Sequence, residues 1–143
     1  MKPTGLSQNI IFLSAEFSHR FGQAMAAAFK QNNIDITSEQ FAVLVVLWYQ
    51  DGISQKEISE KLNRDKTTIT RVLMNMKKSK LIKQVTDAED NRSNLVYLTA
   101  KGKEVQKAGV QVSGQLYQQV LKDIPPAQLS TGINILQKML NAL

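Results

Sequence analysis

Two side chains of opposite charge, Asp90 and Arg92, stand two positions apart in the polar stretch DNRSN that leads into LVYLT. An exposed pair of this kind contributes only about 0 to 1 kcal/mol to stability, so the arrangement points to a partner that needs a presented cation. On an extended arm residues i and i+2 share a face, which would let Asp90 hold Arg92 in one orientation. A larger concentration of charge lies just upstream. From Lys61 to Lys83 there are eight Lys or Arg (61, 64, 66, 71, 77, 78, 80 and 83) against one acid, Asp65, a local net of +7 in a chain whose total is +6. Such a segment suits neutralisation of phosphates with release of their counterions. A solvated lysine-rich face accounts for the charge alone equally well.

The stretch KTTITRVLMNMKK, residues 66 to 78, favours the first reading. Placed about 100° apart on a helix, Ile69, Val72, Leu73 and Met76 gather on one side, and Lys66, Thr67, Thr70, Arg71, Met74, Lys77 and Lys78 on the other. Hydroxyls and cations near a helix N-terminus are what contacts base edges and phosphates when a helix enters a major groove. Met74 is the one apolar member of that outward face.

The rest of the chain must position these groups. Its 143 residues, 43% apolar, suit one compact unit, to which a second copy could be added. No run is long and apolar enough for a membrane span, and polar residues break the N-terminal stretch before a signal-peptide core could form, so the expectation is a soluble cytoplasmic protein. Cysteine is absent and His19 is the only histidine. That removes disulfides and thiolate chemistry, and no phosphate-binding, dinucleotide-binding or HExxH motif is present, so no enzyme, cofactor or metal site is expected. His19 reads as a helix-surface or interface residue.

Leu6, Ile10, Leu13, Phe17, Phe21 and Met25 recur at helical spacing and predict a helix from about Leu6 to Gln31. Thr37 with Gln40 forms a capping box for FAVLVVLWYQ, a core helix in which Trp48 is expected to be buried, and Ser54 with Glu57 forms another for QKEISEKL. LIKQV and LVYLT, joined by TDAEDNRSN, predict a β-hairpin. Thr99 can cap a further helix whose Gly102, Gly109 and Gly114 imply support from packing. Pro125-Pro126 separates it from a last helix with a seam at Leu129, Ile133, Leu136, Leu140 and Leu143, suited to another helix.

Two helices joined by a tight polar turn and followed by a hairpin make a winged helix-turn-helix, and at this point a resemblance becomes specific. TSEQFAVLVVL, SQKEISEKL, DKTTITRVLMNM, DNR, and LT with Gly102 three residues after Thr99 match in order and spacing the MarR family of transcription regulators. Two departures stand out: Lys80 where the family usually has Gly, and Gln84 where it often has a basic residue. The resemblance implies a mainly helical fold of six helices with a small β-hairpin wing. It implies dimerisation helices at 1–35 and 100–143 around a DNA-binding lobe at 36–99. It further implies a homodimer, in all expectation a repressor, on a pseudo-palindromic double-stranded DNA operator, relieved by a small organic effector, with no membrane partner. The DNA-contacting set expected on this basis is Ser54, Gln55, Lys66, Thr67, Thr68, Thr70, Arg71, Asn75, Lys77, Lys78, Asp90 and Arg92, with Arg92 as the minor-groove cation of the wing. A winged-helix protein-interaction module is the alternative, since the fold serves both uses.

Overall fold

The computed structural model describes residues 5–143. A short 3-10 turn at Leu6–Gln8 precedes α1 (Ile10–Gln31), followed by α2 (Ser38–Tyr49), β1 (Ile53–Ser54), α3 (Gln55–Leu62), α4 (Lys66–Lys78), β2 (Ile82–Thr86), β3 (Asn94–Leu98), α5 (Ala100–Leu121) and α6 (Pro126–Asn141). Among the described residues no helix is long and apolar enough to cross a membrane.

Local chemistry sets most boundaries. Asn9 starts α1 four residues later than the apolar period alone predicts, because its Oδ1 accepts from the amides of Ile11 and Phe12 at 3.0 Å. Thr37 and Gln40 make the reciprocal capping box that the sequence predicts. At α3 only half of the expected box forms. Ser54 Oγ accepts from Glu57 N, but the Glu57 carboxylate accepts from the Ser54 hydroxyl instead of the Ser54 amide. The Ser54 backbone is already in strand β1.

That strand is an addition to the hairpin. β2 and β3 pair antiparallel with Ile82 opposite Leu98 and Thr86 opposite Asn94, and β1 joins the other edge of β3 with Ile53 opposite Val96, giving the order β1-β3-β2. The buried cluster under this sheet takes Val43, Leu44 and Leu47 from α2, Ile58 from α3, the inner face of α4, and Leu81, Ile82, Val96 and Leu98 around the hairpin. Trp48 is not part of it. It is 55% exposed, because Val43, Leu44 and Leu47 already occupy the inward stripe of α2.

Composition suggested one compact unit, but the chain divides into two, one ending at Ser113 and one beginning at Gly114. In the first, Phe29 of α1 packs on Phe41 of α2 with ring centroids 5.2 Å apart, and Gly109 of α5 lies so close that a Cβ there would meet the Phe41 ring at 2.7 Å. Gly102 is closer still to its neighbour, with Leu81 O only 2.0 Å from where a Cβ would be. Thr99 secures the same joint: its Oγ1 donates to Lys80 O at 2.6 Å and accepts from Gly102 N at 3.0 Å. In the second unit no residue is buried, and Ile133, Leu136 and Leu140 of α6 are 45%, 44% and 71% exposed.

Candidate nucleic-acid interface

Helix α4 is fixed from beneath and left free above. Asn63 caps the end of α3 with a φ of 49° that reverses the chain, and Asp65 immediately precedes α4. Ile69, Val72, Leu73 and Met76 are each 3% exposed or less, so the inner face of α4 is locked into the core as its period predicts. On the opposite face Lys66, Thr67, Thr70, Arg71, Met74 and Asn75 line one shallow recess of about 410 Å³. Lys77 and Lys78 are exposed in the last turn, where cations also favour the helix dipole.

Individual side chains on this face are not all free. Thr70 Oγ1 donates to Lys66 O at 2.7 Å and accepts from Gln55 Nε2, so α3 and α4 are joined by a side-chain bond at the face itself. Arg71 Nη2 lies 3.1 Å from Glu39 Oε2, with side chains 61% and 47% exposed. Thr68 points elsewhere: its hydroxyl donates to Asp65 Oδ1, and that bond, with the backbone amides of the first turn, holds the Asp65 carboxyl below its ordinary range. Thr68 also borders a separate cleft of about 420 Å³ beside α1, with Phe17, Phe21, Met25 and Phe41 as apolar wall and Glu39 and Arg64 among its polar groups.

α4 passes to the wing through Lys80, at φ 61°. Its N–H bonds Lys77 O at 3.0 Å and that of Leu81 bonds Met76 O at 2.9 Å, a Schellman ending in which glycine is the unstrained choice. At the tip of the wing the chain turns instead of remaining extended. Asp90 Oδ1 accepts from Arg92 N at 3.0 Å, and Ser93 N donates to Asp90 O at 3.0 Å. Asp90 thus fixes the backbone from which Arg92 projects. Among the described residues the ion pairs are Arg20–Glu16 and Arg71–Glu39, so Asp90 does not neutralise the guanidinium.

Residues 36–93, most of this lobe, match the MarR family model. This lobe belongs to the MarR family. The membership is supported by HTH-type transcriptional regulator TtmR of Methylorubrum extorquens (strain PA1), 32% identical over 101 residues, 71% of this chain. The chain spans about half of that relative, 51% of its length. The S. aureus MepR–DNA complex superposes with a TM-score of 0.83 at 29% identity, covering 94% of this chain and 96% of that one. The Streptomyces coelicolor regulator PcaV in complex with its natural ligand shares the fold, with a TM-score of 0.80 at 23% identity over 99% of each chain. The chain thus carries a MarR-type winged helix-turn-helix.

The sequence-predicted residues fall into four groups. Lys66, Thr67, Thr70, Arg71 and Asn75 share the recess, with Lys77 and Lys78 beyond it. Ser54 and Gln55 lie at the start of α3, one as helix cap and the other as brace on Thr70. Thr68 lies away from it, and Asp90 and Arg92 form the wing tip. Glu39 was missed, because a partner 32 residues from Arg71 leaves no local pattern to read.

Proposed function

We propose that this MarR protein acts in the cytoplasm as a homodimeric repressor on a pseudo-palindromic operator, α4 of each copy entering a major groove and each wing tip bringing Arg92 to a minor groove. The outward face of α4 carries the reading: a helix with four apolar residues locked in the core presents Lys66, Thr67, Arg71, Asn75, Lys77 and Lys78 to solvent. Protruding far enough to reach base edges is the demand of a groove, and cations around that point are the demand of phosphates. A second copy is supported by the apolar side chains left open at both ends of the chain, Phe12, Leu13 and Phe17 on α1 and Ile133, Leu136 and Leu140 on α6.

The cleft beside α1 suits a small organic effector with an apolar body and one polar or charged end. Glu39 belongs both to that cleft and to the Arg71 pair, so an occupant that draws Glu39 aside changes a side chain of the reading face. Footprinting of the purified protein on the DNA upstream of its own coding region tests the proposal. Protection of two half-sites about one helical turn apart is the expected result. Absence of salt-sensitive duplex binding would overturn it.

A further inference from the structure

Thr70 cannot use its hydroxyl as the sequence suggests. A threonine hydroxyl has one proton to donate. Here that proton is committed to Lys66 O at 2.7 Å, and one lone pair receives Gln55 Nε2. No donor remains for a base acceptor such as guanine O6 or N7. What Thr70 has left uncommitted is one lone pair, which can only accept, and its methyl group. Met74 lies four residues further on, on the same side of the helix, and is 56% exposed although it is large and apolar. The two line the same recess, with Lys66 and Arg71 on its border. An apolar strip within a cationic, groove-facing surface is a chemical demand of its own.

From this, and resting on the reading of α4 as the major-groove helix, we propose that Thr70 and Met74 select thymine by contact with its 5-methyl group. Thymine is the base that carries an apolar group on the major-groove edge of DNA, so the strip has one natural match there. Gln55, by occupying the hydroxyl, would then be a positioning residue that turns Thr70 from a polar reader into an apolar one. The flanking cations hold the duplex while the strip distinguishes among sequences.

The test uses the unaltered protein and a duplex selected by it from a random-sequence library. Each thymine is replaced singly by deoxyuridine, which removes the methyl and keeps the base pair. The expected result is about fourfold weaker binding at one or two thymines of each half-site, the effect of one methyl-sized group withdrawn from water. Met74→Ala should lose that sensitivity at a thymine to which the unaltered protein is sensitive. Thr70→Ser, which keeps the hydroxyl and lacks the methyl, should lose it too, while Thr70→Val should retain it. Equal binding to thymine and deoxyuridine at every position overturns the proposal and leaves the DNA reading intact. So does normal behaviour of Thr70→Ser with failure of Thr70→Val. Failure to enrich any duplex overturns the DNA reading and this proposal with it.

Discussion

Asp90 offers a prediction with opposite signs under two physical accounts. Its carboxylate would stand near phosphates, where simple repulsion argues that removing it tightens binding. At about 8 Å in water that repulsion is roughly 0.5 kcal/mol, and about 0.2 kcal/mol after screening at physiological salt. Against it stands the bond from Arg92 N to Asp90 Oδ1 at 3.0 Å, which fixes the turn before any DNA arrives. A hydrogen bond of that type contributes about 1 kcal/mol, and without it the ordering of the tip is deferred to the binding step. The larger quantity decides, so Asp90→Ala should weaken operator binding by about three- to fivefold even though the protein becomes more positive. Asp90→Asn separates the two effects because it keeps the Oδ1 acceptor and removes the charge. It should bind as the unaltered protein does or slightly more tightly. Fluorescence anisotropy with a labelled operator duplex at fixed salt measures all three. If Ala and Asn at this position both tighten binding by the same factor, the turn contributes nothing and the reasoning is wrong.

Four further outcomes are expected. Arg92→Ala should weaken operator and random duplex by similar factors and reduce the salt slope by about one, read from titrations across a salt series; loss confined to the operator would contradict a minor-groove cation that reads no base. Arg71→Ala should lower specific affinity by about 1 to 3 kcal/mol with unchanged dichroism, whereas Glu39→Gln, which removes a carboxylate competing for that guanidinium, should raise affinity by a factor of up to about five. Weaker binding by Glu39→Gln would mean that Glu39 aims Arg71 at its contact. Lys80→Gly should stabilise the protein by about 0.5 to 1 kcal/mol in urea denaturation at matched protein concentration, the relief of a left-handed residue with a Cβ less the added freedom of the unfolded chain, and Lys80→Ala, which keeps the Cβ, should not. Light scattering at micromolar concentration should give about twice the 16.0 kDa chain mass, and Leu136→Asp should disrupt both assembly and DNA binding; a monomeric mass for the folded, unaltered protein would remove the dimer.

What could be read from sequence was what depends on near neighbours. The period of α4 separated Ile69, Val72, Leu73 and Met76 from the outward residues, and Thr37, Thr99 and Pro126 marked helix starts by chemistry confined to one turn. The features missed need distant partners. β1 is only two residues long and exists by pairing with β3, 41 positions away at Ser54 and Leu95, so no alternation could reveal it. Trp48 was assigned to the core by residue type, but its direction is set by which stripe of α2 faces the sheet. At the site, the outward direction of Thr70 was legible and the occupation of its hydroxyl was not, since that required Gln55 to be brought across the turn. Lys80 stands out in the sequence as a departure from the family pattern, and its positive φ is the physical meaning of that departure.

The contact between Gly102 and Leu81 O has a mechanical consequence. With no space for even one carbon between them, and with Thr99 bridging the same carbonyls, the first turn of α5 cannot roll or slide against the root of the wing. Leu81 is also the residue whose amide closes the end of α4. The three parts therefore behave as a welded joint, and a torque applied to the first turn of α5 arrives at α4 and the wing together, without slack. Any bending of the lobe has to be taken up elsewhere, and the α4–wing–α5 corner travels as one piece.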